Sequence, residues 1–160
     1  MNRFATAAAL LSIFAAGQAQ ALSCQRPSVQ ATFRQANEAE VQYVMAVGRL
    51  QLLPGEKVPG TGDDPNARQG YSVETRFDGK LAAADGFTED ASFPVRVEVG
   101  CAGPWCGGVP LDRVLVFIER REGANVLVEG PCPWFALDAT PAVIEGAMSC
   151  IRGEACTPPE

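Results

Sequence analysis

Six cysteines, Cys24, Cys101, Cys106, Cys132, Cys150 and Cys156, constrain this chain more than any other feature. An even set at irregular spacing reads as disulfides when the chain is exported, and any fold it adopts must then bring three pairs of Cα atoms within about 7 Å. Fifteen pairings are open to six cysteines, and spacing alone does not choose among them. The chain holds no histidine. That excludes a Ser-His-Asp triad, a Cys-His pair and any imidazole metal ligand.

Export is written at the N-terminus. Arg3 supplies a basic start, Phe4 to Ala16 form an apolar run, and Ala19-Gln20-Ala21 supply a small-x-small cleavage site. This is the pattern of a secretory signal peptide over residues 1–21. The run falls short of the ~20 residues that span a bilayer. The mature chain is then expected to begin at Leu22 and to reside in the periplasm or be secreted. A rival reading takes Ala21-Leu22-Ser23-Cys24 as a lipoprotein box, which would acylate Cys24, anchor the chain to a membrane and leave five cysteines.

The formal net charge is −6, one unit more negative once Arg3 leaves with the leader. Nucleic acid and anionic lipid need clustered lysine and arginine, so neither is an expected partner. Residues 22–160 are the right size for one domain with its own core, with 152–160 as a frayed C-terminal tail.

Ser28 can cap a short helix from Pro27 to Glu40, with Val29, Phe33 and Ala36 on one face. Tyr43 to Leu53 then alternates as a strand. Pro54 to Gly70 is almost free of apolar residues and carries the Asp63-Asp64 pair, reading as a long functional loop or a solvated surface excursion. Strand signals return at Tyr71 to Phe77, where Asp78-Gly79 marks a turn or bulge, and Val95, Val97 and Val99 alternate with Arg96 and Glu98. Val114 to Ile118 is apolar on both parities, as in a strand buried on two faces. Glu122 to Asn125 turns the chain into Val126-Leu127-Val128. Thr140-Pro141 opens a last helix whose buried stripe is Val143, Ala147 and Ile151. About five strands with a helix at each end predict a mainly β, disulfide-stapled domain, most economically a small five-stranded OB-like barrel.

At the expected mature N-terminus, Leu22-Ser23-Cys24-Gln25-Arg26-Pro27 is followed by Phe33 and by Val47-Gly48-Arg49-Leu50. Further on come Trp105-Cys106-Gly107, Val114-Leu115-Val116-Phe117 and Val128-Glu129-Gly130-Pro131-Cys132. Together these motifs resemble the tissue inhibitors of metalloproteinases and their netrin-like relatives, over most of residues 22–132. The resemblance implies an OB barrel whose N-terminal segment docks into an enzyme's active site, where the first cysteine's α-amine and carbonyl chelate the catalytic zinc. Leu22 stands in place of that cysteine, which removes the bridge that would preorganise the chelate. The resemblance also implies a Cys24–Cys132 bridge, leaving Cys101–Cys106 and Cys150–Cys156 as local staples.

Three functional classes follow. The first is an exported, non-catalytic binding module for a protein partner, inhibitor-like or docking on an envelope enzyme, with contacts at Leu22, Ser23, Cys24, Gln25, Asp63, Asp64 and Trp105. The second is a thiol-disulfide enzyme cycling Cys101 and Cys106, although their spacing is wider than Cys-x-x-Cys and no histidine or lysine lies near to lower a thiol pKa. The third is a structural envelope protein. No catalytic residue, metal or cofactor is expected under the first reading. Asp85 to Asp90 does not match a calcium loop, and adjacent carboxylates at Asp63-Asp64 have no burial to separate their pKa values.

Overall fold

The computed structural model describes residues 23–25, 27–60 and 68–158. The expected leader, Leu22 and the Asp63-Asp64 pair lie outside the described residues. The first element is helix α1, Val29–Glu38. Ser28 caps it, its Oγ accepting a hydrogen bond from Ala31 N at 3.2 Å, which satisfies one of the orphan donors of the first turn.

Eight strands follow: β1 Gln42–Leu52, β2 Tyr71–Ala83, β3 Gly86–Val99, β4 Cys101–Ala102, β5 Trp105–Cys106, β6 Val114–Arg121, β7 Ala124–Glu129 and β8 Ala136–Asp138. Helix α2, Pro141–Ile151, completes the order. The pairings run in a ring. β1 pairs with β2, β2 with β3, β3 in parallel with β7, β7 with β6, and β6 returns to β1. This is the connectivity of an OB-like barrel, not fully closed, because β6 and β7 meet only over Glu119–Arg121 and Ala124–Val126.

The apolar residues on both parities of β6 find two cores. Val114, Val116 and Ile118 point into the barrel with Leu50, Phe77, Val95, Val97 and Leu127. Leu115 and Phe117 face outward and pack with Val29, Val47, Leu137 and Ala147 under the two helices. A strand buried on both faces must be apolar throughout. Its edge partner β8 lies against Val114–Val116. At α2, Thr140 Oγ1 accepts from Val143 N at 3.3 Å and Pro141 occupies the first turn. Beyond α2, Arg152 N donates to Met148 O, Glu154 N donates to Ser149 O, and Cys156 is bonded to Cys150.

One expectation is corrected. Asp78-Gly79 is neither turn nor bulge: β2 runs straight through it, with Gly79 opposite Gly48 of β1, and the register shifts instead between Leu81 and Ala82. The glycines are there for close approach. A Cβ on Gly79 would lie 2.3 Å from Val47 O and 2.7 Å from the ring of Phe77, which covers both glycines and is fully buried. Gly79→Ala must push β1 and β2 apart, so equilibrium unfolding of this variant is expected to show a loss of about 1–3 kcal/mol.

Three bridges join Cys24 to Cys132, Cys101 to Cys106 and Cys150 to Cys156, and no cysteine is free. Such a set belongs to an oxidising compartment. Among the described residues no helix is long and apolar enough to cross a membrane.

Candidate functional site

The candidate contact residues that the structure describes are tied to the chain that follows β3 and β7 at one end of the barrel. Gly100 N donates to Glu129 O at 2.8 Å, and Gly107 N donates to Gly100 O at 3.0 Å. Between those glycines stands the two-stranded β4–β5 hairpin, with Cys101 directly opposite Cys106 and Gly103 in the left-handed turn region at φ 57°. The hairpin carries Trp105, 52% exposed, at its tip. From the long loop, Arg68 Nη1 donates to Pro104 O at 3.3 Å, so the returning end of that loop is tied to the same hairpin.

The N-terminal segment is tied to the chain that follows β7. Cys24 is bonded to Cys132 with 5.4 Å between Cα atoms, and its Sγ lies 3.6 Å from Pro131 O. Gly130, one residue before Pro131, presses against Gly107: a Cβ there would sit 2.6 Å from Gly130 O and 2.8 Å from Glu129 O. Ser23, Cys24 and Gln25 are exposed. Ser23 to Gln25, Trp105 and Arg68 are thus held by one covalent and hydrogen-bonded frame.

Within that frame is a cavity of about 340 Å³ whose wall includes Cys106, Gly107, Gly108, Glu129, Pro131 and Pro133. Glu129 is the residue that sequence reasoning missed. Its side chain shares the inward parity of Leu127 and sits opposite Val99, both barrel-core residues, and it is only 2% exposed. Its Oε1 has no hydrogen-bond partner. Burial disfavours the charged form and pushes the carboxyl up from 4.5 to about 8, so at neutral pH it is mostly the neutral acid. The signal was in the sequence: an acid two residues beyond Leu127 on an otherwise apolar strand falls on the core face by alternation.

Two other clefts have different chemistry. Arg96, Arg120 and Arg121 line one, yet each is already engaged. Arg96 pairs with Glu74 at 2.7 Å, Arg121 with Glu119 at 2.7 Å and Glu98 at 3.0 Å, and Arg120 donates to Asn125 Oδ1 while lying over the Phe93 ring. The second lies between α1 and β1, where Tyr43 stacks on Phe135 at 5.1 Å and donates to Glu119 Oε1 at 2.8 Å. Burial first, then that hydrogen bond, pushes the Tyr43 phenol up to about 12. At Asp85 to Asp90 two of the three carboxylates are spent on neighbours: Asp90 pairs with Lys80 at 2.7 Å, and Asp85 accepts from Thr88. Among the described residues no three His, Cys, Asp or Glu side chains cluster as a metal site would need.

The fold and site define a disulfide-pinned, OB-like domain with a half-exposed tryptophan and a buried acid at one barrel end. No family model, curated protein or solved structure matches the chain.

Proposed function

We propose that this protein is an exported, non-catalytic binding module that docks a protein partner with the β4–β5 end of its barrel. One observation carries the reading: separate parts of the chain, Ser23–Gln25, Trp105 and the end of the long loop, are pinned together at that end by Cys24–Cys132, Cys101–Cys106 and the Arg68–Pro104 bond. Pinning removes the ordering cost that a flexible docking surface would lose on association. A half-exposed tryptophan on a cross-linked hairpin is the kind of anchor around which interface energy concentrates.

The resemblance to metalloproteinase inhibitors supports an enzyme as that partner, in the periplasm or outside the cell, approached by the segment starting at Leu22. Leu22 lacks the bridge of the family's first cysteine, so docking would rest on the whole barrel end rather than on zinc chelation alone.

The test is to cross-link the exported, disulfide-intact protein to its partner in its own compartment, identify the partner, and measure the affinity of purified components. Trp105→Ala is expected to weaken binding tenfold or more, taking ~2 kcal/mol as an anchor's contribution, with the melting temperature unchanged. Equal affinity for wild type, Trp105→Ala and a Gln25→Ala variant would remove this end of the barrel as the docking surface.

A further inference from the structure

We propose that the free edge of β3 over Glu89–Phe93 is a second interaction surface, which takes an extended, lysine- or arginine-bearing segment of a partner as an added strand. Roughly 30 Å of extended chain separates Glu89 from Val99, where the docking end begins. The two surfaces share no residue.

β3 is paired with β2 from Gly86 to Val99, but β7 covers its other side only from Arg96 onward. Among the described residues no strand lies against the rest of that side. Neighbouring hydrogen bonds fix which backbone groups point outward. Val95 O accepts from Thr75 Oγ1 of β2 at 2.7 Å, whereas Pro94 O accepts from Asn125 Nδ2 at 3.0 Å and Gly100 N donates to Glu129 O of β7 at 2.8 Å. Odd-numbered residues therefore turn their N–H and C=O toward β2, and even-numbered residues turn theirs away. The register with β2 is unbroken from Glu89 to Val99, so Asp90 and Ser92 are on the outward phase. Both are exposed, and each offers an N–H and a C=O in the alternation that an added strand pairs with.

The stretch is bounded at both ends. Pro94 has no N–H and its carbonyl is already taken, and beyond Glu89 the register shifts between Leu81 and Ala82. A guest strand of about five residues fits between these limits.

The side chains choose the guest. Glu89 and Asp90 are adjacent and project from opposite faces of the strand. On the face of Asp90 positive charge is already supplied, by Lys80 at 2.7 Å and by Arg76, whose Nη1 donates to Ser92 Oγ. On the face of Glu89, Arg120 lies over the Phe93 ring and donates to Asn125 Oδ1. Among the described residues no cation pairs with Glu89, which is exposed. Glu89 is thus the group that a basic residue of the guest satisfies. The same carboxylates oppose an acidic strand, and they oppose a second copy of this edge, which would bring another Glu89 and Asp90 into one sheet of a chain with net charge −6. Charges on an edge guard it against self-pairing; these leave it open to a strand of opposite sign.

The probe is an acetylated, amidated heptapeptide alternating lysine and threonine, titrated into the disulfide-intact protein and followed by amide NMR and hydrogen exchange. Its comparisons are the glutamate–threonine peptide and a lysine–threonine peptide N-methylated throughout, which keeps the charge and removes every backbone donor. In the free protein the amides of Asp90 and Ser92 are expected to exchange faster than those of Ala91 and Phe93. The lysine peptide should slow Asp90 and Ser92 selectively, while both comparison peptides bind at least about tenfold more weakly. Glu89→Gln should weaken the lysine peptide roughly threefold, the scale of an exposed ion pair. Ser92→Pro removes an outward N–H and spares the β2 ladder, so it should keep the wild-type melting temperature and lose the peptide. Equal binding of either comparison peptide, protection falling on Ala91 and Phe93, or unchanged binding in a folded Ser92→Pro would each overturn the proposal. So would protection of Asp90 and Ser92 in the free protein that disappears on dilution, the mark of a second copy on this edge. If Ser92→Pro does not fold, the peptide comparisons on the wild type decide alone.

Discussion

Glu129→Gln is expected to flatten the dependence of stability on pH between about 4.5 and 8. The wild-type carboxyl titrates at 4.5 when unfolded and at about 8 when folded. Below the lower value it is neutral in both states and costs nothing as a charge. Between the two, the folded chain holds a proton that the unfolded chain has released, so stability falls as pH rises, and the full penalty is reached above 8. At 1.36 kcal/mol per pH unit the span amounts to roughly 5 kcal/mol, an upper figure for a domain whose whole stability is of order 5–15 kcal/mol. Glutamine keeps the shape and cannot ionise. Urea unfolding at a series of pH values should show the wild type weakening steadily toward alkaline pH and the variant overtaking it. Parallel curves would mean that the carboxyl reaches solvent or a counter-charge when it ionises.

Glu129 falls on the core face by alternation, a local signal, and other features mark where sequence reasoning stops. Elements whose identity rests on neighbours in the chain were legible. Ser28 and Thr140 cap their helices because the cap bond is local, and β6 announced burial on both faces by being apolar on both parities. The mainly β architecture with a helix near each end followed from those periods. Apart from the Cys24–Cys132 bridge that the resemblance implied, features that depend on distant partners were not legible. Gly79 is tolerated in mid-strand because Gly48, thirty-one residues earlier, lies against it under the Phe77 ring. The three residues of β8 carry no strand signal of their own and owe their conformation to β6. The β4–β5 hairpin is two residues on a side and exists because a disulfide closes it. Trp105 and the Ser23–Gln25 segment were each nameable as contacts. That they occupy one barrel end depends on Gly107 packing against Gly130, which no spacing encodes.

That arrangement makes the long-range bridge the most consequential of the three. Replacing Cys24 and Cys132 together by serine opens a loop of 108 residues, and the chain-entropy model puts the loss at up to about 4.7 kcal/mol. The bridges at separations of 5 and 6 close tight loops and are worth about 2 kcal/mol each in the same model. The double variant should still fold, because α1 remains docked through Val29 and Phe33 and through the bond from Thr32 Oγ1 to Trp134 O at 2.8 Å. Only the segment before the helix loses its anchor. The expected signature is therefore split: a large drop in the denaturant midpoint, together with faster amide exchange confined to Ser23–Gln25 and the Gly130–Cys132 strap in the native state. Partner affinity should fall with it, since the segment would have to be ordered again on every encounter. Should the Cys150–Cys156 pair prove the costlier one to remove, the stability of this domain would reside at its helical end, and the N-terminal bridge would serve placement alone.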